Sequence, residues 1–291
     1  MSKQSSGSPL LVAPRELADW LRSSQAPAVI DCQASLSDPA AGHRAWMSAH
    51  IPGAAHADLE TDLSGPRGED RGRHPLPDPE TFAQSARVWG VRSDRAIVVY
   101  DDSSGTFAVR CWWLLRWLGH SDVRLLNGGF SAWRRAGLPT DSGGVAAGKG
   151  DFQGAPGAMP TVRTETLGPR VESGEWTLLD ARAEARFLGR EEPIDPVAGH
   201  IPGARNAPFP GNVDDQGHWL APEQLRERFR ARIGEVRPES VVHMCGSGVT
   251  ACHNLFAMEL AGLNGSALYP GSWSEWIRDP HRPVAREGGP A

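Results

Sequence analysis

The segment AHIPGAAHADL, beginning at Ala49, returns as GHIPGARNAPF from Gly199, so His50 and His200 match at a shift of 150 residues. Upstream, AVIDCQ from Ala28 echoes TLLDAR from Thr177, which sets Asp31 over Asp180, and Leu17 falls over Leu167. Downstream the shift is 143. IVVYDDSSGTFAVR then lies over SVVHMCGSGVTACH, and LLNGGFSAWRRAGLP over LYPGSWSEWIRDPHRP, with Gly128 over Gly271 and Trp133 over Trp276. The seven extra residues of the first copy fall in LSGPRGEDRGRHPLP. Matching features in one order mark a tandem duplication. Whatever one copy folds into, the other must fold into as well, and 291 residues suit about two domains. DSGGVAAGKGDFQGAPGAMP, Asp141 to Pro160, is rich in Gly, Ala and Pro and reads as a linker. The expected domains are therefore 1–140 and 161–291.

Within each copy, short apolar runs alternate with amphipathic ones. AVIDC, AIVVYD and DVRLL in the first copy, and TLLDA, SVVHM and SALYP in the second, have the length and composition of buried strands. APRELADWLRS, DPETFAQSARVWG, AVRCWWLLRWLG, APEQLRERFRARIG and ACHNLFAMELAG suit helices, several with Pro near the start or Gly past the end. Alternation of this kind predicts an α/β fold, each copy a mainly parallel central sheet flanked by helices. In such sheets ligands bind at the carboxyl ends of strands. Cys245 falls there, just after SVVHM.

Composition excludes several classes. A net charge of −5 argues against a nucleic-acid partner, and no segment has the length of apolar chain that crosses a membrane. The N-terminus, MSKQSSGSPLLVAPREL, lacks the pattern of a signal peptide, so a cytoplasmic location is expected. Of the basic residues only Lys3 and Lys149 are Lys. The four Cys have no paired spacing suited to zinc or to a disulfide framework, and no metal or other cofactor is expected.

Gly246 and Gly248 give the loop after Cys245 backbone freedom and leave space above it. Such a loop can turn N–H groups toward one point, and the following helix adds the positive end of its dipole. A thiolate at Cys245 would be stabilised there, with Gly246, Gly248, Val249 and Thr250 forming the cradle. The duplication supplies a comparison: at the shift of 143, Cys245 lies over Asp102, so the first copy lacks the thiol.

With CGSGVTAC from Cys245 to Cys252, both HIPGA segments and the Trp near each domain's end, the sequence resembles a tandem rhodanese-family sulfurtransferase over almost its whole length. The cysteine loop is similar to that of the 3-mercaptopyruvate sulfurtransferases; thiosulfate sulfurtransferases carry basic residues where this chain has Gly246 and Ser247. The resemblance implies that Cys245 takes a sulfane sulfur from a small anionic donor and passes it from a persulfide to a thiol, thioredoxin or cyanide. It implies that Arg186 binds the donor's anionic group, and that Ser247, His74 and Glu60 form a Ser–His–acid relay, with Asp58 two positions before Glu60. The family's second donor-binding Arg, after EP, is absent: Ile194 follows Pro193, and Arg190 is not aligned. That leaves thiosulfate open as a donor.

The other thiols, Cys32, Cys111 and Cys252, read as packing residues. Asp180 and Arg182 are expected to pair structurally, the HIPGA elements to form turns, and His243 to face the side of its strand opposite Cys245. A phosphatase would need an Arg where Ala251 stands, and a non-catalytic rhodanese-like carrier module would be expected to lack Cys245.

Overall fold

A computed structural model describes residues 10–146 and 148–287; residues 1–9, at the start of the expected first domain, residue 147 of the expected linker and residues 288–291 lie outside the described residues. In chain order the first copy runs β1 (Leu11–Val12), α1 (Pro14–Trp20), β2 (Ala28–Asp31), α2 (Ala41–Ser48), β3 (Ala55–His56), α3 (Pro79–Val88), β4 (Ile97–Tyr100), α4 (Ala108–Trp117), β5 (Val123–Leu126) and α5 (Gly129–Arg135). The second runs α6 (Thr164–Glu172), β6 (Thr177–Asp180), α7 (Glu184–Phe187), β7 (Arg205–Asn206), α8 (Pro222–Ile233), β8 (Val241–Met244), α9 (Ala251–Leu260), β9 (Ala267–Leu268) and α10 (Ser272–Trp276). Helices α1, α3 and α8 each begin with the Pro seen in the sequence, where its missing N–H costs nothing.

Both sheets are parallel, with orders β1-β5-β4-β2-β3 and β7-β6-β8-β9. The second sheet lacks a named counterpart of β1, but Thr161 makes a parallel bridge to Leu268 where Leu11 pairs with Leu125. Each copy also closes its HIPGA turn on a residue that follows its last helix, His50 on Asp141 at the start of the expected linker and His200 on Ala285. Gly53 and Gly203 give those turns their left-handed backbone, with φ of 78° and 80°. His50 Nδ1 meets the Trp46 carbonyl at 2.8 Å and His200 Nδ1 that of Phe187 at 2.7 Å. The paired Trp133 and Trp276 donate to Pro139 and Pro283. The motifs that reveal the duplication are thus braces of the scaffold.

Strand alternation divides the core into layers. Val98 and Tyr100 of β4 face an outer core with α1 and α5, and Val242 and Met244 of β8 face its equivalent with α6 and α10. Ile97, Val99, Leu179 and Val241 face one shared core, filled by α3 and α4 from the first copy and α8 and α9 from the second. There the ring of Trp112 packs edge-on against Phe256 at 4.9 Å. The two repeats therefore share one interior. The linker is also less loose than its composition implies: Phe152 and Met159 are buried, and Gly148 and Gly150 donate to Val88 and Arg87 at the end of α3.

Candidate active site

Strand β8 ends at Met244 and delivers Cys245 into the loop before α9. The loop is fixed from below by the start of α10. Trp273 N–H donates to the Cys245 carbonyl at 3.0 Å and Ser274 N–H to that of Gly246 at 2.9 Å, while Cys245 N–H donates to Ser272 Oγ at 3.1 Å. Ser272 holds a left-handed φ of 52°, rare outside glycine. Gly248 has φ of 80°, and a Cβ there would collide with the Pro270 carbonyl oxygen. Its N–H donates to Cys245 Sγ at 3.2 Å. Val249 is buried and Thr250 stands at the N-cap position of α9, so the sulfur lies before a helix N-terminus.

The first copy corrects the sequence comparison. Asp31 of β2 pairs with Tyr100 as Asp180 of β6 pairs with Met244, so the residue matching Cys245 in strand register is Asp101, not Asp102. The first loop is one residue longer between strand and helix, which a comparison at constant shift cannot register. Asp102 instead turns outward to Arg134. The Asp101 carboxylate, fully buried, accepts from the N–H groups of Ser103, Gly105, Phe107 and Ala108 at 2.7 to 2.9 Å. Burial pushes its carboxyl upward against the pull of those four amides. In the first copy this type of loop is an anion cradle whose anion is built in.

Three residues anticipated as a relay do meet. His74 Nδ1 is 2.7 Å from Ser247 Oγ, and His74 Nε2 is 3.0 Å from Glu60 Oε1. Asp58 is not the partner; it caps the turn after itself by accepting from Glu60 and Thr61 N–H. Burial pushes the His74 imidazole below its ordinary value, more than Glu60 draws it up. Partial burial pushes the Glu60 carboxyl up, but His74 and Arg67 together outweigh it and hold the group below the usual range. An ionised Glu60 can only accept, so Nε2 carries the proton and Nδ1 is left to accept from the Ser247 hydroxyl.

Arg186 lies on α7 at the mouth of the loop. It pairs with Glu192 at 2.6 Å and with Asp195 at 3.2 Å. Arg182 is buried and paired with Asp180 at 2.7 Å, as expected, and it covers the Trp273 ring. Arg190 is turned outward to Glu287, and Ile194 is exposed. Cys32, Cys111 and Cys252 are buried free thiols; Cys252 Sγ donates to the Gly248 carbonyl. His243 differs from expectation. Residues two apart on a strand share a face, so it lies on the same side as Val241 and Cys245, edge-on to Phe229 of α8. Depth sets it apart: both ring nitrogens are buried without a hydrogen-bond partner among the described residues, and desolvation pushes its pKa down to about 3.

Two residues escaped the sequence reading. Arg110, fully buried on α4, donates to Leu63, His74, Pro75 and Gly248 carbonyls and so ties the relay to the cysteine loop across the repeats. An Arg flanked by apolar residues in the first turn of AVRCWWLLRW was the available signal. Arg73 of the first copy reaches the second copy's loop and pairs with Asp195.

Comparison with known proteins matches this architecture. The model of the rhodanese-like domain matches residues 13–136 and again 164–279. A Pseudomonas aeruginosa protein described as a probable 3-mercaptopyruvate sulfurtransferase is 53% identical over 259 residues, 88% of this chain and 91% of its own. A Bos taurus thiosulfate sulfurtransferase is 33% identical over 277 residues, covering 92% of this chain and 91% of its own. The structure of a 3-mercaptopyruvate sulfurtransferase from Leishmania major superposes with a TM-score of 0.81 at 31% identity, over 96% of this chain and 77% of that one. No helix among the described residues is long and apolar enough to cross a membrane. The chain belongs to the rhodanese family, with two copies of the rhodanese-like domain in one polypeptide and the cysteine loop in the second.

Proposed function

We propose that this chain is a sulfurtransferase that moves a sulfur atom from 3-mercaptopyruvate, through a persulfide on Cys245, to a thiol or cyanide. The observation that carries the reading is the chain Cys245-loop–Ser247–His74–Glu60, closed by hydrogen bonds of 2.7 and 3.0 Å beside the only loop of the two that holds a thiol at its strand end. Cys245 thiolate attacks the donor's sulfur; the S–S bond forms and the carbon–sulfur bond breaks. The electron pair stays on carbon as the enolate of pyruvate, which takes up the proton that the donor thiol gives up. Ser247 and His74 are positioned to hand that proton across. The products are pyruvate and a deprotonated Cys245 persulfide, equal in charge and atoms to the reactants. The persulfide lies before the α9 N-terminus, where the helix dipole and loop amides favour an anion. Cyanide then takes the outer sulfur as thiocyanate, or a thiol takes it as its own persulfide, and Cys245 thiolate returns. This is covalent two-stage catalysis.

Gly246 and Ser247 after the cysteine favour this donor over thiosulfate, because Ser247 is the relay's contact with the loop. Thiosulfate is the second donor: its leaving sulfite carries its own electron pair and needs no proton. Reduced thioredoxin, a dithiol, fits the acceptor step, and a reducing cytoplasm suits four free thiols. The test is thiocyanate formation from each donor with cyanide as acceptor. The account expects parallel-line, two-stage kinetics and higher kcat/KM with 3-mercaptopyruvate. No thiocyanate from either donor would refute the enzyme reading and leave a carrier or binding module.

A further inference from the structure

We propose that Arg73 and Arg186 form a two-armed clamp for the donor's carboxylate, one arm from each repeat, and that Arg73 sets the preference for a 2-oxo-3-sulfanyl carboxylate over thiosulfate. The proposal rests on the sulfurtransferase reading above.

Arg73 belongs to the segment between β3 and α3 where the first copy carries its extra residues. The second copy's segment between β7 and α8 is shorter and reaches the other way, Trp219 N–H donating to Asn127 of the first copy, so each strap serves the opposite repeat. The first copy's strap is pressed onto α10: Arg73 N–H donates to Ser274 Oγ at 3.0 Å, and a Cβ on Gly72 would come within 2.6 Å of the Gly271 carbonyl oxygen. The Arg73 backbone is therefore anchored to the same element that fixes the cysteine loop.

Its guanidinium converges with that of Arg186. A Cβ placed on Gly246, the residue after the thiol, would lie 3.0 Å from Arg73 Nη2 and 3.7 Å from both Nη1 and Nη2 of Arg186. Arg73 gives its Nη1 to Asp195, and Arg186 gives Nε and Nη2 to Glu192 and Asp195. Among the described residues, Arg73 Nη2 and Arg186 Nη1 are left without a hydrogen-bond partner, and both lie among the nitrogens nearest the loop, beside the partnered Nη2 of Arg186. Both side chains remain reachable, at 20% and 16% exposure, whereas Asp195 is at 4%. Asp195 also gauges the spacing. Its two carboxylate oxygens are divided between the two Arg, one each, so the gap between the guanidiniums fits one carboxylate.

The position of the clamp selects among donors. The amide that reaches the sulfur is that of Gly248, while the clamp stands beside Gly246. A donor that spans the two needs its anionic group separated from its sulfur by a short carbon chain. 3-Mercaptopyruvate has two carbons between them. In thiosulfate the oxygens sit on the atom bonded to the transferred sulfur. The second Arg absent after EP, where Ile194 is exposed to solvent, is thus replaced from the other repeat. Arg73 makes and breaks no bond; it binds.

The test is steady-state kinetics of the full chain with each donor, cyanide as acceptor, for wild type, Arg73→Ala and Arg73→Lys. Arg73→Ala is expected to raise KM for 3-mercaptopyruvate at least about tenfold with kcat changed much less, the pattern of lost binding. The kcat/KM ratio of 3-mercaptopyruvate over thiosulfate should fall by a similar factor. Arg73→Lys should recover only part, because an ammonium cannot serve Asp195 and a donor with a fork of nitrogens. Should the alanine variant fold poorly, Arg73→Gln keeps the stem and gives the same comparison. An active wild type with an unchanged donor ratio in these variants would overturn the Arg73 assignment alone. A wild type inactive with both donors would overturn the reading on which it rests.

Discussion

Around Cys245 each neighbour has a separable chemical task. Gly248 holds the sulfur, Ser272 takes the Cys245 amide, and Ser247 leads away to a neutral His74 and an ionised Glu60. In the proposed reaction the relay serves the leaving group rather than the thiol, so its loss should depend on the donor. His74→Ala is expected to lower kcat with 3-mercaptopyruvate by roughly 10²-fold, the lower end for a positioned proton donor. With thiosulfate the fall should be several times smaller; an equal loss with both donors would show that His74 serves packing. Cys245 was legible from its own strand-end glycine loop, whereas Ser247, His74, Glu60 and Arg186 were named through the family resemblance, since nothing local marks them. The sequence concealed Arg73 and Arg110, each of which reaches a residue of the other repeat, Asp195 and Gly248, more than a hundred residues away.

Among the elements, the strands and long helices were legible because apolar period and Pro or Gly punctuation are local. The two-residue strands β1, β3 and β7 were not; they exist through pairing with neighbours. The register of the cysteine loop with its twin was misread for a related reason: one extra loop residue leaves both helix starts aligned while shifting the strand end, so Asp101 holds the anion position. The same geometry makes Gly248 irreplaceable. Its left-handed φ and its contact with Pro270 mean that Gly248→Ala should cost about 1–3 kcal/mol of stability in denaturant titration. Activity should fall further than stability accounts for, since the displaced amide is the one that meets Sγ. A variant as stable and active as wild type would remove the cradle from the account.

At the scale of the whole molecule, α4 and α9 join two α/β units through one core, and Arg110 crosses it. Arg110→Met should cost about 1–3 kcal/mol for carbonyls left buried without a donor, and activity should fall with it because His74 and Gly248 lose their common tether. Burial of imidazoles also gives stability a pH dependence. His56 and His253 are held at about 4 and His243 at about 3, from 6.5. Below about pH 6.5 the unfolded chain takes up protons on these rings that the folded chain refuses, so acidification drains stability. Asp31, raised by burial to about 6, keeps its proton when folded and offsets one of the three. His243→Leu should therefore lose less stability than wild type on going from pH 7 to 5, by about 2 kcal/mol from its own ring, read from urea midpoints. All of this scaffold serves one atom. Mass spectrometry of the intact chain after exposure to 3-mercaptopyruvate, followed by peptide mapping, tests it most directly. The account predicts a gain of one sulfur atom on Cys245, removed by cyanide and missing in Cys245→Ser; sulfur absent from Cys245, or found on Cys252 instead, would contradict it.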